Sequence, residues 1–415
     1  MSRWSWPGAD PRVKAKFGAA IKRHDFHAAE AFGRELLARH PRQPRVRIRL
    51  AHVLEHLGRP EEAHATIASG VGRGLSSAIS ATIAKMYGDF GIATELADAW
   101  RFIPRGMSAV CSIEHRNASV DGVPLISKVV TPSSSKVARE VDFYTRIARH
   151  STELRALAPR LVDYRSVEGS PRHAMLTLEM IAGRRPSVLD FGVVRDGWIR
   201  LARGSDELVR VGLTLQRSRW RDQARRTAAR TLRQSVLYPE SFAWIHTRRA
   251  GIDLFDAILV RLRTRRATAR AIAAAEYLRA FWFDRDLPTR VRPQQHYAFL
   301  HGDFHEANLI VDDANGACRV IDWESASWGP PALDITSFAA GLSRVGFDHL
   351  EQVGLLSCHD VADAPLALRH PLAPVLLVVT LLARWLGQRS VELQEDAFDR
   401  TIAPAIEWVS RWQPG

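Results

Sequence analysis

The sequence predicts an α+β chain in which an all-α helical region precedes a small β-rich lobe and a larger helical lobe. Three observations lead to this expectation. Equivalent residues recur at an offset of 34 near the N-terminus, β-branched runs begin after Trp100, and most segments beyond Gly183 have the length and spacing of helices. We therefore expect a helical region over 1–95, a β-rich lobe over 96–181 and a helical lobe over 182–415.

The composition is typical of a soluble globular protein. Hydrophobic residues make up 46% of the chain and charged residues 25%, which is the balance of globular domains. The N-terminus has no apolar segment of a secretion signal, and the longest apolar run, 373–382, is shorter than the roughly 20 residues of a membrane span. The three cysteines are too scattered for a disulfide framework or a zinc site. We expect a cytoplasmic location, no membrane span and a buried helix at 373–382.

The formal net charge of +13 is compatible with an anionic partner. Much of the excess lies in an arginine-rich stretch between Arg195 and Arg292, whose side chains we expect on exposed helix faces. No zinc-finger spacing, RNA-binding aromatic signature or basic heptad accompanies the charge. Nucleic acid is therefore not an expected partner.

The first hundred residues predict helical hairpins. Ala29 and Ala63 each follow a short polar turn and open a helix, and Pro41 ends the first of these helices. The stretch 17–71 resembles tetratricopeptide repeats, which implies a surface for a protein partner. Only two repeat units are legible, so an ordinary helical extension stays an alternative. In either case we expect these helices to have their own core.

The β-rich lobe is predicted from short runs of β-branched residues. Ala109 to Ile113 and Val123 to Val130 are two strands separated by a turn at 117–122, and His173 to Met180 is a further strand.

The strongest chemical signal lies between His301 and Asp322. It contains His301-Gly302-Asp303, then Asn308 before an apolar run, then Asp322 at the end of a second apolar run. Phosphoryl transfer needs a carboxylate that orients the acceptor hydroxyl and oxygen ligands that hold cations against the phosphates. Asp303 can supply the first, and Asn308 and Asp322 can supply hard oxygen ligands for magnesium.

These residues resemble the aminoglycoside phosphotransferase and choline kinase family, which shares an H-x-D-x-x-x-x-N segment and a following I-D-W/F segment with protein kinases. The resemblance implies a bilobal protein-kinase-like fold and an ATP- and Mg-dependent transfer to a hydroxyl group. It implies that Asp303 is the catalytic base, that His301 supports the loop, and that Asn308 and Asp322 bind the metal. Asp334, a little further on, is expected to brace the catalytic loop.

A kinase of this kind also needs a lysine over the phosphates, paired with a helix glutamate. Lys128 lies in an apolar segment typical of a strand, and Glu140 begins a predicted helix 12 residues later. The chain uses arginine for nearly every cation, so a lysine here indicates that the compact ammonium is needed.

Further nucleotide contacts are expected where side chains carry less information. The turn 104–109, with Gly106 and Ser108, is expected to cover the phosphates, and backbone groups near Glu179 and Ile181 are expected to meet the adenine. The implied cofactors are ATP and Mg.

The acceptor stays open at this point. Carboxylates near the C-terminus, between Glu392 and Asp399, suit a cationic acceptor, whereas the arginine-rich stretch favours an anionic one. We expect a small-molecule hydroxylated acceptor that is aminoglycoside-, choline- or sugar-like. The alternatives are a kinase that acts on a protein, a cell-envelope polymer or a lipid head group, and a noncatalytic nucleotide-binding scaffold that uses the helical repeats.

Overall fold

The computed structural model describes residues 11–41, 43–92, 99–104, 110–132, 135–213, 245, 248–264, 266–291, 296–341, 347–352, 354–357, 364–365, 368–369, 371–388 and 398–412. The chain divides into two compact units. The first unit comprises residues 1–141 and 159–181, and the second comprises residues 142–158 and 182–415. No helix among the described residues has both the length and the apolarity to cross a membrane.

The first unit begins with five helices, α1 (Pro11–Lys22), α2 (Phe26–Arg39), α3 (Pro44–His56), α4 (Pro60–Val71) and α5 (Arg73–Asp89). The Asp25 side chain caps α2 by accepting from the Ala28 N–H, and a proline opens both α3 and α4. Ala29 and Ala63 are fully buried, as the need for small residues between closely crossing helices predicts. The helical hairpins expected from the sequence are confirmed.

A five-stranded antiparallel sheet follows the helices. Its strands are β1 (Trp100–Ile103), β2 (Cys111–Val120), β3 (Val123–Val130), β4 (Leu161–Val167) and β5 (Ser170–Glu179), in the spatial order β1-β2-β3-β5-β4. The turn expected at 117–122 is shorter than predicted, because β2 continues to Val120 past a register shift between Glu114 and Ser119. Only Asp121 and Gly122 turn, both with positive φ.

The helices and the sheet of the first unit share a hydrophobic core. Buried side chains of α5, among them Ile83 and Met86, belong to one cluster with Ile113 and Leu125 of the sheet. Helices α1 to α3 have a separate cluster around Phe17. Leu54 of α3 and Ile67 of α4 belong to the same cluster as the sheet residues. The expectation that the helical region has its own core is therefore wrong for α3, α4 and α5.

A buried chain of polar groups ties α5 to the sheet. The Tyr87 hydroxyl lies 2.7 Å from His115 Nδ1, and His115 Nε2 lies 2.8 Å from Ser127 Oγ, which in turn lies 2.7 Å from Thr177 Oγ1. Burial lowers the pKa of His115 to about 4, so the ring is neutral at pH 7. Each ring nitrogen thus has a partner, as buried polar atoms require.

The second unit is mainly helical. Its helices are α7 (Thr152–Leu157), α8 (Phe191–Arg210), α9 (Arg248–Thr264), α10 (Ala269–Asp284), α11 (Leu287–Arg290), α12 (Ala332–Gly341), α13 (Phe347–Gln352), α14 (Ala373–Gln388) and α15 (Ala403–Arg411), with α6 (Ser135–Asp142) preceding it. Its short strands are β6 (Gly183–Arg184), β7 (Ala298–Leu300), β8 (Leu309–Asp312), β9 (Cys318–Val320) and β10 (Ser327–Gly329). Strands β6, β8 and β9 form one sheet, and β7 pairs with β10. Helix α14 contains the predicted buried segment 373–382 and packs against α12.

Deleting residues 1–89 is expected to unfold the sheet of the first unit, because the deletion strips the side chains of α5 from the shared core. Soluble yield and circular dichroism check this outcome. Deleting only residues 1–24 is the control, since α1 contributes to the separate cluster around Phe17. A folded, cooperative fragment without residues 1–89 would contradict the shared core.

Tyr87→Phe should cost about 1–2 kcal/mol of unfolding free energy through the lost hydrogen bonding.

Candidate active site

The loop after β7 is anchored by a buried carboxylate. Asp334, in the first turn of α12, accepts a hydrogen bond from the His301 N–H at 2.7 Å and from the Gly302 N–H at 2.9 Å. The Asp334 side chain is fully buried, and burial raises its pKa to about 7 although both N–H groups act to lower it. Asp334 therefore holds the start of the loop, as the sequence predicted.

Gly302 is required by its surroundings as well as by its backbone conformation. Its φ is 83°, which disfavours residues with a side chain. A Cβ atom at this position would lie 2.1 Å from the carbonyl oxygen of Ser325. The loop can adopt this path only with glycine in the middle of the His301-Gly302-Asp303 segment.

His301 connects the loop to the segment that leads to Asp322. Its Nδ1 accepts from the Asp303 N–H at 3.3 Å, so we place the ring proton on Nε2, which lies 3.0 Å from the carbonyl oxygen of Ile321. Burial lowers the pKa of His301 and keeps the ring neutral. The ring also packs edge-on against Trp323, with centroids 4.9 Å apart. The supporting role expected for His301 agrees with these contacts.

Asp303 points its carboxylate outward from this buried framework. The Asn308 amide nitrogen donates to the Asp303 carbonyl oxygen at 3.0 Å and to Oδ2 at 3.4 Å. His305 Nε2 lies 3.4 Å from the same Oδ2, and nearby carboxylates raise the pKa of His305 against the effect of its burial. The Asp303 side chain is 40% exposed. The Asp303 carboxylate is therefore held in direction by its neighbours and accessible to solvent.

Asn308 and Asp322 lie at adjoining strand ends. Strands β8 and β9 pair with Leu309 opposite Val320, and the Ile321 N–H donates to the Asn308 carbonyl oxygen at 2.9 Å. Asp322 has φ 68°, an uncommon conformation for a residue with a side chain and one that occurs at functional sites.

The donor atoms at this place fit magnesium. The Asn308 amide nitrogen is used by Asp303, which leaves the amide oxygen for a cation, and Asp322 adds a carboxylate. No group of three or more His, Cys, Asp or Glu suited to a metal occurs in the described ranges. One carboxylate and one amide oxygen match the usual magnesium site, in which phosphate oxygens and water supply the other ligands.

The first unit holds the predicted ion pair. Lys128 Nζ on β3 lies 2.7 Å from Glu140 Oε1, and the two side chains are only 14% and 4% exposed. Glu140 lies in the last turn of α6, so the expectation that it begins a helix is wrong. An early-helix preference for acidic residues therefore does not explain Glu140, whereas its contact with Lys128 does.

The remaining predicted nucleotide contacts have different outcomes. Gly106 and Ser108 lie outside the described residues. Glu179 ends β5 and its carboxylate accepts from the Arg160 N–H at 2.9 Å, while the Met180 N–H donates to the Pro124 carbonyl oxygen. The backbone of Ile181 makes no hydrogen bond to another described residue. Among the proposed acceptor carboxylates only Asp399 is described, and it pairs with Arg270 at 2.8 Å.

Sequence reasoning missed one buried charge near this loop. Arg384 lies on α14 and is only 6% exposed. The signal was present, because Arg384 is the one charged residue in the apolar run Ala373–Gln388. Its relation to Asp334 depends on how α12 and α14 pack, which periodicity does not reveal.

Two family models match the chain. One described as the phosphotransferase enzyme family matches residues 100–355, and one described as the tetratricopeptide repeat matches residues 20–85.

A probable choline kinase 3 of Arabidopsis thaliana is 28% identical over 123 residues, which are 28% of this chain and 36% of that protein. The match thus spans about a third of the curated relative.

Solved structures similar to this chain include two kinases. An aminoglycoside phosphotransferase from Streptomyces rimosus is 16% identical, with a TM-score of 0.40 over 74% of this chain and 98% of that one. A microcompartment-associated aminopropanol kinase is 16% identical, with a TM-score of 0.44 over 80% of this chain and 94% of that one.

Two glycine substitutions distinguish two contributions to the loss of stability: the clash with the Ser325 carbonyl at Gly302 and the backbone cost of a positive φ. Gly316 also has a positive φ, but a Cβ there meets nothing within 4 Å. Gly316→Ala should cost about 1 kcal/mol of unfolding free energy, which is the backbone penalty alone. Gly302→Ala should cost at least about 2 kcal/mol more, because the Ser325 carbonyl must move. Denaturant titrations measure both losses, and equal losses would show that the contact with Ser325 is not limiting.

Asp334 should make the protein less stable as pH rises from about 4 to about 7. Folding raises the pKa of this carboxyl from its ordinary value of 3.8 to about 7, so the folded state binds the proton more tightly than the unfolded chain does. The stabilisation is complete below the unfolded pKa and is lost as pH rises through the folded pKa. Denaturant titrations at several pH values should show this slope in the wild type and a smaller slope in Asp334→Asn. Identical slopes would contradict the raised pKa of Asp334.

Proposed function

Because the chain belongs to the phosphotransferase enzyme family, we propose that it transfers the γ-phosphoryl group of ATP to a hydroxyl group of a small molecule. The observation that carries this proposal is the loop from His301 to Asn308. Its buried backbone is fixed by Asp334, and its outward-facing Asp303 carboxylate is held by Asn308. An exposed carboxylate that is held in one direction is better suited to binding an acceptor hydroxyl than to supporting the fold.

In the proposed reaction Asp303 accepts the hydrogen bond of the acceptor hydroxyl and takes its proton. The hydroxyl oxygen bonds to the γ-phosphorus while the bond between that phosphorus and the bridging oxygen breaks, so ADP leaves. The transition state is loose, so orientation of the hydroxyl matters more than the basicity of the carboxylate. The contacts of Asp303 with Asn308 and His305 supply that orientation.

Several groups are proposed to contact the nucleotide. Asn308 and Asp322 would hold Mg²⁺, which when bound neutralises charge on the phosphate oxygens. The Lys128 ammonium, fixed by Glu140, would contact the phosphates. Gly106 and Ser108 would cover the phosphates, and backbone groups near Glu179 and Ile181 would contact the adenine. The cytoplasm, where ATP is available, is the proposed location.

A second candidate is supported by the helical region. The tetratricopeptide repeat match over residues 20–85 favours a protein partner for this region, which we propose to extend over 1–95, ahead of the kinase-like lobes 96–181 and 182–415. Arrays of this kind bind peptides and protein surfaces. The partner would be either a recruited regulator or the phosphate acceptor itself.

ATP consumption with a panel of hydroxylated acceptors tests the proposed reaction. The panel contains an aminoglycoside, choline, sugars and sugar acids, and ADP formation is measured with Mg²⁺ present. Asp303→Asn should lower kcat by about 10²- to 10⁴-fold and leave nucleotide affinity nearly unchanged, because the base acts on the acceptor. Asp313→Asn, an exposed aspartate in the turn after β8, is the control. Turnover within tenfold of wild type in a folded Asp303→Asn protein would refute its role.

Lys128→Arg should fail nearly as completely as Lys128→Ala, although it conserves the charge. The ammonium is almost enclosed and touches Glu140 at 2.7 Å, so a wider planar guanidinium would displace one of its partners. Lys85→Arg is the matched control, because Lys85 is 62% exposed and pairs with Glu168 at the surface. Steady-state ATP turnover and thermal melting are the measurements. Near-normal turnover in a folded Lys128→Arg protein would show that charge alone suffices.

A further inference from the structure

Helix α14 carries one buried charge that the proposed reaction does not use. Among the residues Ala373–Gln388 only Arg384 is charged, and the side chains around it are apolar and buried. Arg384 itself is 6% exposed. Burying a guanidinium costs several kcal/mol unless an anion and hydrogen-bond acceptors compensate for the lost water.

The Arg384 guanidinium has no hydrogen-bond acceptor among the described residues. Some described side chains have polar atoms that are fully enclosed and form no hydrogen bond. The nitrogens of Arg384 are not among these atoms. The guanidinium is therefore not completely enclosed, although Arg384 as a whole is only 6% exposed. The N–H groups of this guanidinium could donate hydrogen bonds to a ligand.

The position of Arg384 relates it to the catalytic loop. Helix α14 packs on α12, the helix whose Asp334 holds His301 and Gly302. The charges of Asp334 and Asp303 raise the pKa of Arg384 against the effect of its burial. Burial lowers the pKa of Arg384 only to about 10, so the side chain is charged at neutral pH.

Asp334 does not form a direct salt bridge with Arg384. Its two carboxylate oxygens each accept a backbone N–H, from His301 and from Gly302. No salt bridge within 4.0 Å joins Asp334 to Arg384 in the described part of the chain. The two charges attract each other through space, and the directional donors of Arg384 are left for another group.

We infer that Arg384 binds an anionic group, a carboxylate or a phosphate, on the acceptor whose hydroxyl is phosphorylated. The inference rests on the proposed function and narrows its acceptor class. A guanidinium presents a planar fork of donors that matches two oxygens of such a group. A polycationic acceptor would bring like charge to the same place. Sugar acids, sugar phosphates and hydroxy acids are therefore favoured over aminoglycosides and choline.

Three probe acceptors with the same hydroxyl framework test this inference. Glucuronate, glucose and glucosamine differ in charge at one position, and ADP formation is followed with Mg·ATP at several acceptor concentrations. Wild type should favour glucuronate over glucosamine by at least about tenfold in kcat/KM. Arg384→Met should lose that preference mainly through a higher KM for glucuronate. Arg263→Met, an exposed arginine paired with Glu276, is the control variant.

A binding measurement distinguishes failure of this inference from failure of the proposed reaction. Calorimetric titration of the full chain with glucuronate, in the presence of Mg·ADP so that nucleotide phosphate sites are filled, does not depend on turnover. Wild type should bind glucuronate in the millimolar range or tighter, Arg384→Met at least tenfold more weakly, and Arg384→Lys between them. Arg384→Met keeps the apolar volume of the arginine stem. Thermal melting verifies that it folds, and Arg384→Gln replaces it otherwise.

Several results would overturn the inference. They are equal glucuronate binding by wild type and Arg384→Met, no glucuronate binding by wild type, or a preference for glucosamine. An equal fall of kcat for all three probes, with a changed pH profile, would instead identify Arg384 as a residue that positions the loop through Asp334. Binding that depends on Arg384 without ATP turnover would support the anion site and refute the proposed reaction.

Discussion

The loop that carries Asp303 depends on one buried carboxylate. A short loop between strands has backbone N–H groups that secondary structure does not satisfy, and Asp334 satisfies the two at His301 and Gly302. Burial opposes the charge of Asp334, as its raised pKa shows, and the two N–H groups offset part of that cost. Because the loop is fixed at this end, the Ser325 carbonyl can approach Gly302 closely and the Asp303 carboxylate is left facing outward. Every proposed role of Asp303 depends on this arrangement.

The sequence could predict the local part of this site because its residues are close together in the chain. Asn308 directly precedes β8 and Asp322 follows β9, so local pairing of these two strands brings the residues to the same edge. The sequence could not show where α6 begins, and Glu140 lies in the last turn of that helix instead of the first. Its pairing with Lys128 was nevertheless predicted, because a kinase of this kind needs a strand lysine paired with a helix glutamate. Arg384 acts on Asp334 only through the packing of two helices, which hydrophobic patterns leave undetermined.

The helical region is more closely joined to the kinase-like sheet than a repeat pattern suggests. Side chains along a strand point to alternate faces, so Ser127 and Lys128 on β3 face opposite sides of the sheet. Ser127 faces α5 through the chain that begins at Tyr87 and His115, and Lys128 meets Glu140 of α6. Strand β3 therefore lies between a repeat helix and the proposed phosphate contact. A protein bound to the helices would act on an element that shares its core with this strand.

The two buried charges Asp334 and Arg384 differ in whether stability of the fold explains them. An arginine adds no hydrophobic stabilisation to a helix as apolar as α14, and burial of its guanidinium carries a desolvation cost. Asp334 has a structural reason to be buried, since it satisfies two backbone N–H groups. No comparable partner of Arg384 occurs among the described residues. Selection between acceptors is a difference of affinities, and a guanidinium near Asp303 would attract an anionic acceptor and repel a cationic one. The charge in this helix is therefore better explained by the proposed binding of an anionic acceptor than by stability of the fold.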